Sequence, residues 1–143
     1  MNHRGFSPVR VNPAVVASEL AATSNPTISA ILQLGWIQTQ SLTTSQLADQ
    51  LQQEGGLDAG EANAIALALE LQVDDLLIDE RLGRQEAARL GLPIIGILGI
   101  LLVAKQRSLI PQVQPVMDAL INQAGFRVSP QLYQRVLALA QEP

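Results

Sequence analysis

The sequence contains no cysteine and a single histidine, His3, close to its N-terminus. The lack of cysteine excludes disulfides and thiolate metal sites, and it agrees with a reducing cytoplasm. One histidine leaves almost no material for a His-rich zinc site or for a Ser-His or Cys-His catalytic pair. Any enzymatic chemistry in this chain should therefore rest on carboxylates.

Charged residues are also scarce. They make up 15% of the 143 residues, whereas 48% are hydrophobic, and soluble domains usually carry about 25% charged residues. This length suits a single domain, residues 1–143, with one core. The most apolar stretch, 90–104, is shorter than a membrane span of about 20 residues, and Pro93, Gly96 and Gly99 interrupt it. We therefore expect a cytoplasmic protein that makes no contact with a membrane.

Basic residues are missing from a long part of the chain. Between Val11 and Glu80 there is no Lys or Arg, although ten of the thirteen acidic residues lie there. Five basic residues then follow between Arg81 and Arg107, with Glu86 as the one acid among them. A net charge of −4 does not favour nucleic-acid binding. A local basic segment after an acidic one still suits a metal-dependent nuclease. The alternative interpretation is that these charged residues simply cover the solvated faces of helices.

Short β-prone segments alternate with helical patterns along the chain. The predicted strands are 8–11, 36–39, 75–79 and 93–97, and the last two have the continuous apolar runs of buried parallel strands. Caps and stop signals predict eight helices. Four of them have recognisable starts: 13–22 after the N-cap Asn12, a helix from the Thr43–Gln46 capping box to 54, a helix from Pro111 and Pro115 to Gly125, and 130–140 after Ser129. The other four are 28–34, 57–71, 81–90 and 98–107. This alternation indicates an α/β domain with a mainly parallel sheet and right-handed crossovers.

Three runs carry a resemblance to a known family: LDAGEANAIALALEL at 57–71, DLLIDER at 75–81 and AARLGLPIIGILGIL at 87–101. They resemble the PIN-domain superfamily, and they are similar to a VapC-like subgroup of nucleic-acid-binding proteins. Segments 11–20 and 124–133 resemble the same subgroup. The resemblance implies a PIN-like three-layer sandwich, in which helices flank a short, mainly parallel sheet.

The resemblance also implies a site. PIN domains are metal-dependent ribonucleases built around three or four carboxylates, and the family pattern falls on Glu19, Glu61 and Asp79, with Glu80 beside the last. Clustered carboxylates bind Mg²⁺ or Mn²⁺ through oxygen, and the ion then polarises a phosphate and lowers the pKa of an attacking water. Arg81 and Arg84, three residues apart, would contact the RNA backbone.

One part of the family pattern has no counterpart in the sequence. The family's first strand carries an Asp in a motif such as Asp-Thr-Ser-Pro-Leu, and this chain begins near the family's second strand. We therefore expect a domain that is N-terminally truncated relative to the family. Neighbouring strands that pair directly, a partner subunit that covers the gap, or a start codon placed too late would each account for it.

Each candidate residue also has a purely structural interpretation. Asp58 and Glu61 have the spacing of a capping box, with Asp58 as N-cap and Glu61 reaching back to it. Asp79 would cap the helix that begins at Arg81, or pair with Arg84. Glu19, on a helix rich in Ala and Val, would be a surface residue.

Two functions follow from these observations. The first is a Mg²⁺- or Mn²⁺-dependent endoribonuclease of the VapC-like type, a toxin with an antitoxin partner, impaired by the missing Asp. The second is a catalytically inactive PIN-like binding or oligomerisation module, because removing one carboxylate from a metal site weakens that site. In either case we expect a homo-oligomer, since an incomplete apolar sheet needs cover.

Overall fold

The computed structural model describes residues 10–22, 25–31, 33–35 and 37–143. His3, the predicted strand residues 8 and 9, and Trp36 lie outside the described residues. The elements follow one another as β1 (Arg10–Pro13), α1 (Ala14–Ala21), α2 (Pro26–Ile31), β2 (Ile37–Gln40), α3 (Gln46–Gln53), α4 (Ala59–Leu71), β3 (Leu76–Leu77), α5 (Arg81–Arg89), β4 (Ile94–Ile95), α6 (Ile97–Gln106), α7 (Gln114–Gln123) and α8 (Pro130–Leu139). None of these helices is long and apolar enough to cross a membrane, as far as the described part of the chain extends.

The chain divides into two compact units. Unit 1 comprises Met1–Leu76 and Glu80–Ile94, and unit 2 comprises Leu77–Asp79 and Ile95–Pro143. The described residues combine helices with short strands, which confirms the predicted α/β class. That residues 1–143 form a single domain stays a prediction.

The sheet of unit 1 is a parallel pair formed by β1 and β2. Arg10 lies opposite Ile37, and Pro13 lies opposite Gln40. A parallel pair needs a crossover between its strands, and α1 and α2 lie in that connection. The start of α1 differs from the prediction: Asn12 belongs to β1, and Pro13 occupies the N-cap position without a side-chain cap.

Helix α4 forms the centre of unit 1. Five of its side chains are almost completely buried, namely Ala62, Ile65, Ala66, Leu67 and Ala68. The helix packs against β1, α1, α3 and α5, so its apolar residues face protein on several sides, as an apolar pattern round the whole helix predicts. Most of these side chains are small, and neighbouring elements can therefore approach the helix closely.

Helix α3 begins later than the capping-box prediction placed it. Its N-cap is Ser45, whose side chain makes no cap hydrogen bond, and Thr44 Oγ1 accepts the N–H of Gln46 at 3.4 Å. The N–H of Thr43 instead donates to the two carboxylate oxygens of Glu70 on α4, at 3.2 and 3.3 Å. The backbone of Thr43 is therefore tied to a residue 27 positions away.

Strands β3 and β4 are neighbours in a second two-stranded sheet. In unit 1 the N–H of Leu76 donates to Pro93 O at 2.8 Å, and in unit 2 the N–H of Ile78 donates to Ile95 O at 3.1 Å. Both partners advance by two residues in the same direction, so the pairing is parallel, as predicted. The prediction that β3 is buried throughout is wrong, because Leu77 is 54% exposed between the buried Leu76 and Ile78.

The core of unit 2 is contributed mainly by α7 and α8. Its buried residues are Val113, Met117, Val136, Leu137 and Ala140. Leu98, Leu101 and Leu102 of α6 pack against this cluster. Ser129 caps α8 by accepting the N–H of Leu132 at 3.1 Å, which confirms the predicted start of that helix.

A carboxylate near the end of the chain holds the start of α7. Glu142 accepts the N–H of Val113 at 2.8 Å and that of Gln114 at 3.0 Å, and its side chain is only 5% exposed. Lys105 donates to the same carboxylate at 3.1 Å and also to the carbonyl oxygen of Ala140. We call this set of contacts the Glu142 clasp. Its hydrogen bonds to backbone N–H groups and to Lys105 hold the pKa of Glu142 below its ordinary value of 4.5.

The clasp predicts a pH-dependent contribution to stability. A depressed pKa means that the ionised carboxylate stabilises the folded state above about pH 4.5, and that this stabilisation is lost as the pH falls through the lower, folded pKa. Glu142→Gln should therefore lower the thermal midpoint at pH 7, and its difference from wild type should shrink on acidification. Thermal denaturation between pH 7 and pH 3 measures this. Glu54→Gln, which alters an exposed carboxylate at the C-cap of α3, is the matched control, and an equal loss in both variants would contradict the clasp.

Candidate functional site

The start of α4 brings acidic residues together in unit 1. Asp58 is the N-cap of this helix, in an extended conformation with φ −72° and ψ 168°. Its Oδ1 accepts the backbone N–H of Glu61 at 2.8 Å. This contact satisfies one of the N–H groups that a helix leaves unpaired in its first turn, and the predicted capping role of Asp58 is confirmed.

Glu61 does not complete the capping box through its Oε1 atom. This oxygen is buried and has no hydrogen-bond partner among the described residues. Burial raises the pKa of the Glu61 carboxyl above 4.5, the negative charges of Asp58 and Glu80 add to the rise, and the backbone hydrogen bond with Asp58 opposes it. A buried carboxylate oxygen without a donor costs free energy, so this position disfavours the ionised form of Glu61.

Glu19 approaches the same turn from α1. A Cβ atom added to Gly60 would lie 3.4 Å from Glu19 Oε2, 3.5 Å from Asp58 Oδ1 and 3.5 Å from Val16 Cγ2. Two carboxylate oxygens therefore lie within 3.5 Å of one point, which the absent side chain of Gly60 leaves open. We call this space the Gly60 notch. The side chain of Glu19 is exposed, as the surface interpretation of this residue predicted.

Glu80 occupies the N-cap position of α5, with an extended backbone and no side-chain cap. Its charge acts on Glu61, which shows that the two carboxylates are close enough for mutual repulsion. In unit 1, therefore, the charge of Glu80 acts on Glu61, and Glu19 and Asp58 both border the Gly60 notch.

Asp79 belongs to unit 2. Its Oδ1 accepts the N–H of Ile97, the first residue of α6, at 3.1 Å. The N-cap of α6 is Gly96, which has no side chain with which to satisfy this group. The prediction that Asp79 caps the helix beginning at Arg81 is wrong, because Glu80 is the N-cap of that helix. Asp79 instead stabilises the start of a helix 18 residues further along the chain.

The two predicted RNA-binding residues lie on α5. Arg81 is exposed and Arg84 is half-buried, and their spacing of three residues puts them on neighbouring positions of one helix face. Arg89, at the end of the same helix, pairs with Glu86 at 2.7 Å.

Sequence reasoning found Asp58 only as a cap and did not find Gly60. The available signal was a glycine inside the first turn of an otherwise Ala-rich helix. Glycine costs about 1 kcal/mol relative to alanine within a helix, so its presence in the run Asp58-Ala-Gly-Glu61 suggests that a neighbour needs the space.

The acidic residues do not form a compact metal-binding group. Across the ranges that the structure describes, no three His, Cys, Asp or Glu side chains come together in a way that could hold a metal ion directly.

A comparison with known protein families identifies the family of this chain. A family model described as PIN domain matches residues 5–142, which is nearly the whole chain. The chain belongs to the PIN-domain family, as its sequence runs predicted. No curated protein and no solved structure matches it.

The unpaired oxygen of Glu61 predicts an unusual effect of mutation. In metal-free buffer with a chelator, Glu61→Gln should make the protein more stable at pH 7, because it removes a charge that is buried beside two like charges. The raised pKa sets the sign: ionisation of Glu61 destabilises the folded state. The gain should therefore appear as the pH rises above about 4.5 and should be absent in more acidic solution.

Chemical denaturation measures this difference. Glu70→Gln is the matched control, since it is the same substitution on the same helix at a carboxylate that accepts the N–H of Thr43. This control substitution should not make the protein more stable. A Glu61→Gln protein less stable than wild type at pH 7 would show that this carboxylate supports the fold.

Proposed function

We propose that this protein is a metal-dependent endoribonuclease of the VapC-like type. The observation that carries the proposal is the buried Oε1 atom of Glu61, which has no partner among the described residues and lies near the like charges of Asp58 and Glu80. An anionic oxygen in these surroundings is best satisfied by a cation. Many kinds of protein bind a cation, and membership of the PIN-domain family supports a nuclease among them.

The chemistry of the donor set fits Mg²⁺ or Mn²⁺. We propose Glu19, Glu61, Asp79 and Glu80 as the carboxylates that hold the ion, directly or through its water molecules. All four offer the hard oxygen ligands that these ions prefer, and the absence of cysteine and the single histidine leave no soft alternative. A bound divalent ion would polarise the scissile phosphate and lower the pKa of a water molecule.

We propose that Arg81 and Arg84 bind the RNA backbone. Arginine side chains contact phosphate oxygens without reading the base sequence, so they would set how the strand lies on α5 and not which bases are chosen. Arg81 is exposed, and both residues belong to the basic segment that follows the acidic part of the chain. A partner antitoxin is part of the VapC-like proposal.

The proposal predicts metal-dependent cleavage that needs Asp79. With Mn²⁺, the purified chain should cleave members of an RNA panel, and EDTA should stop the reaction. Asp79→Asn should reduce the rate by about 100-fold or more, since even residues that only support metal ligands cost about 10- to 100-fold. Asparagine retains an oxygen that can accept the N–H of Ile97, so the start of α6 is preserved.

Asp75→Asn is the matched control, because Asp75 is exposed just before β3 and no role is proposed for it. It should cleave at the wild-type rate. A chain that neither cleaves RNA nor binds Mn²⁺ in calorimetry would overturn the nuclease proposal. The second function would then remain, a catalytically inactive PIN-like module. The lack of a compact three-carboxylate group in the described residues is the observation that favours this second function.

We also propose that the chain forms a homo-oligomer. Several large apolar side chains are exposed in unit 2, among them Leu109 at 74% and Leu139 at 62%, and association would remove them from water. Sedimentation at micromolar concentration should give at least the mass of a dimer. A monomer of 15.3 kDa would contradict this.

A further inference from the structure

Helix α5 turns a side without carboxylates towards solvent. Its buried residues are Gly83 and Ala87, and at about 100° per residue the middle of the opposite side falls on Gln85. Gln85 and its neighbours on that side are all exposed, and we call this set the α5 face: Arg81, Leu82, Gln85, Ala88 and Arg89. Arg84 and Glu86, both half-buried, lie at its two borders. The α5 face therefore carries two guanidinium groups and no acid.

The guanidinium group of Arg89 is only partly engaged. Its Nε and Nη2 atoms donate to Glu86 Oε2 at 2.9 and 2.7 Å. A guanidinium has five N–H donors, and the other three have no partner among the described residues. The side chain of Arg89 is 63% exposed, so an anion can reach these donors. Exposed ion pairs of this kind are weak, and the contact with Glu86 does not prevent Arg89 from binding an anion.

The sequence before α5 offers an anionic chain few other places to bind. Between Val11 and Glu80 it has no Lys or Arg, and ten of the thirteen acidic residues lie there. A polyanion is repelled by such a segment and attracted by the α5 face. Glu80 is the N-cap of α5, and its charge acts on Glu61. The N-terminal end of the face therefore borders two of the proposed metal ligands, and the rest of the face leads away from them.

The length of the α5 face suits a nucleic-acid strand. Arg81 and Arg89 are eight residues apart, and a helix rises 1.5 Å per residue, so their backbones are about 12 Å apart along the axis. A stacked strand advances about 3.4 Å per nucleotide, so the face reaches over roughly three nucleotides. Gln85 lies midway, and its amide can donate to a phosphate or sugar oxygen.

We propose that the α5 face binds the sugar–phosphate backbone of one RNA strand, with Gln85 and Arg89 extending the contacts that begin at Arg81. This inference rests on the proposed function, and it says where the strand lies beyond the cleavage site. Contacts from arginine to phosphate carry no information about bases. The face would therefore fix the path of the strand along α5 and not the sequence that is cut.

The first test is RNA binding to the full chain, measured by fluorescence anisotropy with a short labelled oligouridylate. EDTA is present so that no metal-dependent cleavage occurs. Arg89→Gln should raise the Kd by about three- to fivefold at physiological salt and reduce the slope of log K against log salt by about 0.7, because one phosphate contact on a single strand is lost. Arg89→Lys keeps the charge and should restore the slope.

Arg135→Gln is the matched control, because it removes the same charge from an exposed position on α8. Its Kd and salt slope should stay at the wild-type values, and a loss equal to that of Arg89→Gln would show an effect of net charge alone and overturn the inference. The thermal midpoint of Arg89→Gln should match wild type, since the pair with Glu86 is exposed and weak.

A labelled oligoglutamate separates RNA from an acidic protein segment as the occupant. We expect it to bind more weakly than the oligouridylate, and binding at least as tight would overturn the inference. Wild-type Kd and salt slope in Arg89→Gln would also overturn it, and would leave the nuclease proposal standing. RNA binding that depends on Arg89, in a chain that neither cleaves RNA nor binds Mn²⁺, would support the α5 face and overturn the nuclease proposal.

Discussion

The burial of α4 is the constraint on which unit 1 depends. Strand β1 and helices α1, α3 and α5 all pack against this helix, and most of its apolar side chains are buried. Its position therefore fixes where its first turn lies. In that turn Glu61 Oε1 is buried without a hydrogen-bond partner among the described residues.

Helix ends were predictable where the capping residue had no other partner. Asp58 and Ser129 cap the helices that their spacing predicts, and Gly56, Gly91 and Gly125 end helices in the left-handed conformation that glycine adopts readily. Thr43 and Asn12 have equally suitable side chains but are not N-caps: the N-cap of α3 is Ser45, while the backbone of Thr43 bonds to Glu70, and Asn12 lies in a strand. Local spacing does not reveal such competing contacts.

The candidate site was only partly predictable for a related reason. The family resemblance selected Glu19, Glu61, Asp79 and Glu80, but spacing along the chain gives no information about what lies beside each of them. The approach of Glu19 to Gly60 depends on how α1 packs against α4, and the hydrogen bond of Asp79 joins residues 18 positions apart. Single residues were recognisable from the sequence, whereas the pairs they form required the structure.

The Glu142 clasp also constrains the order in which unit 2 can form. Val113 and Glu142 are 29 residues apart, so a ribosome makes the first turn of α7 well before it makes the carboxylate that satisfies it. Until then, two backbone N–H groups that are shielded in the finished protein must be hydrated, and Lys105 lacks the carboxylate it pairs with. The start of α7 therefore gains its full set of hydrogen bonds only after the chain that follows α8 has been made.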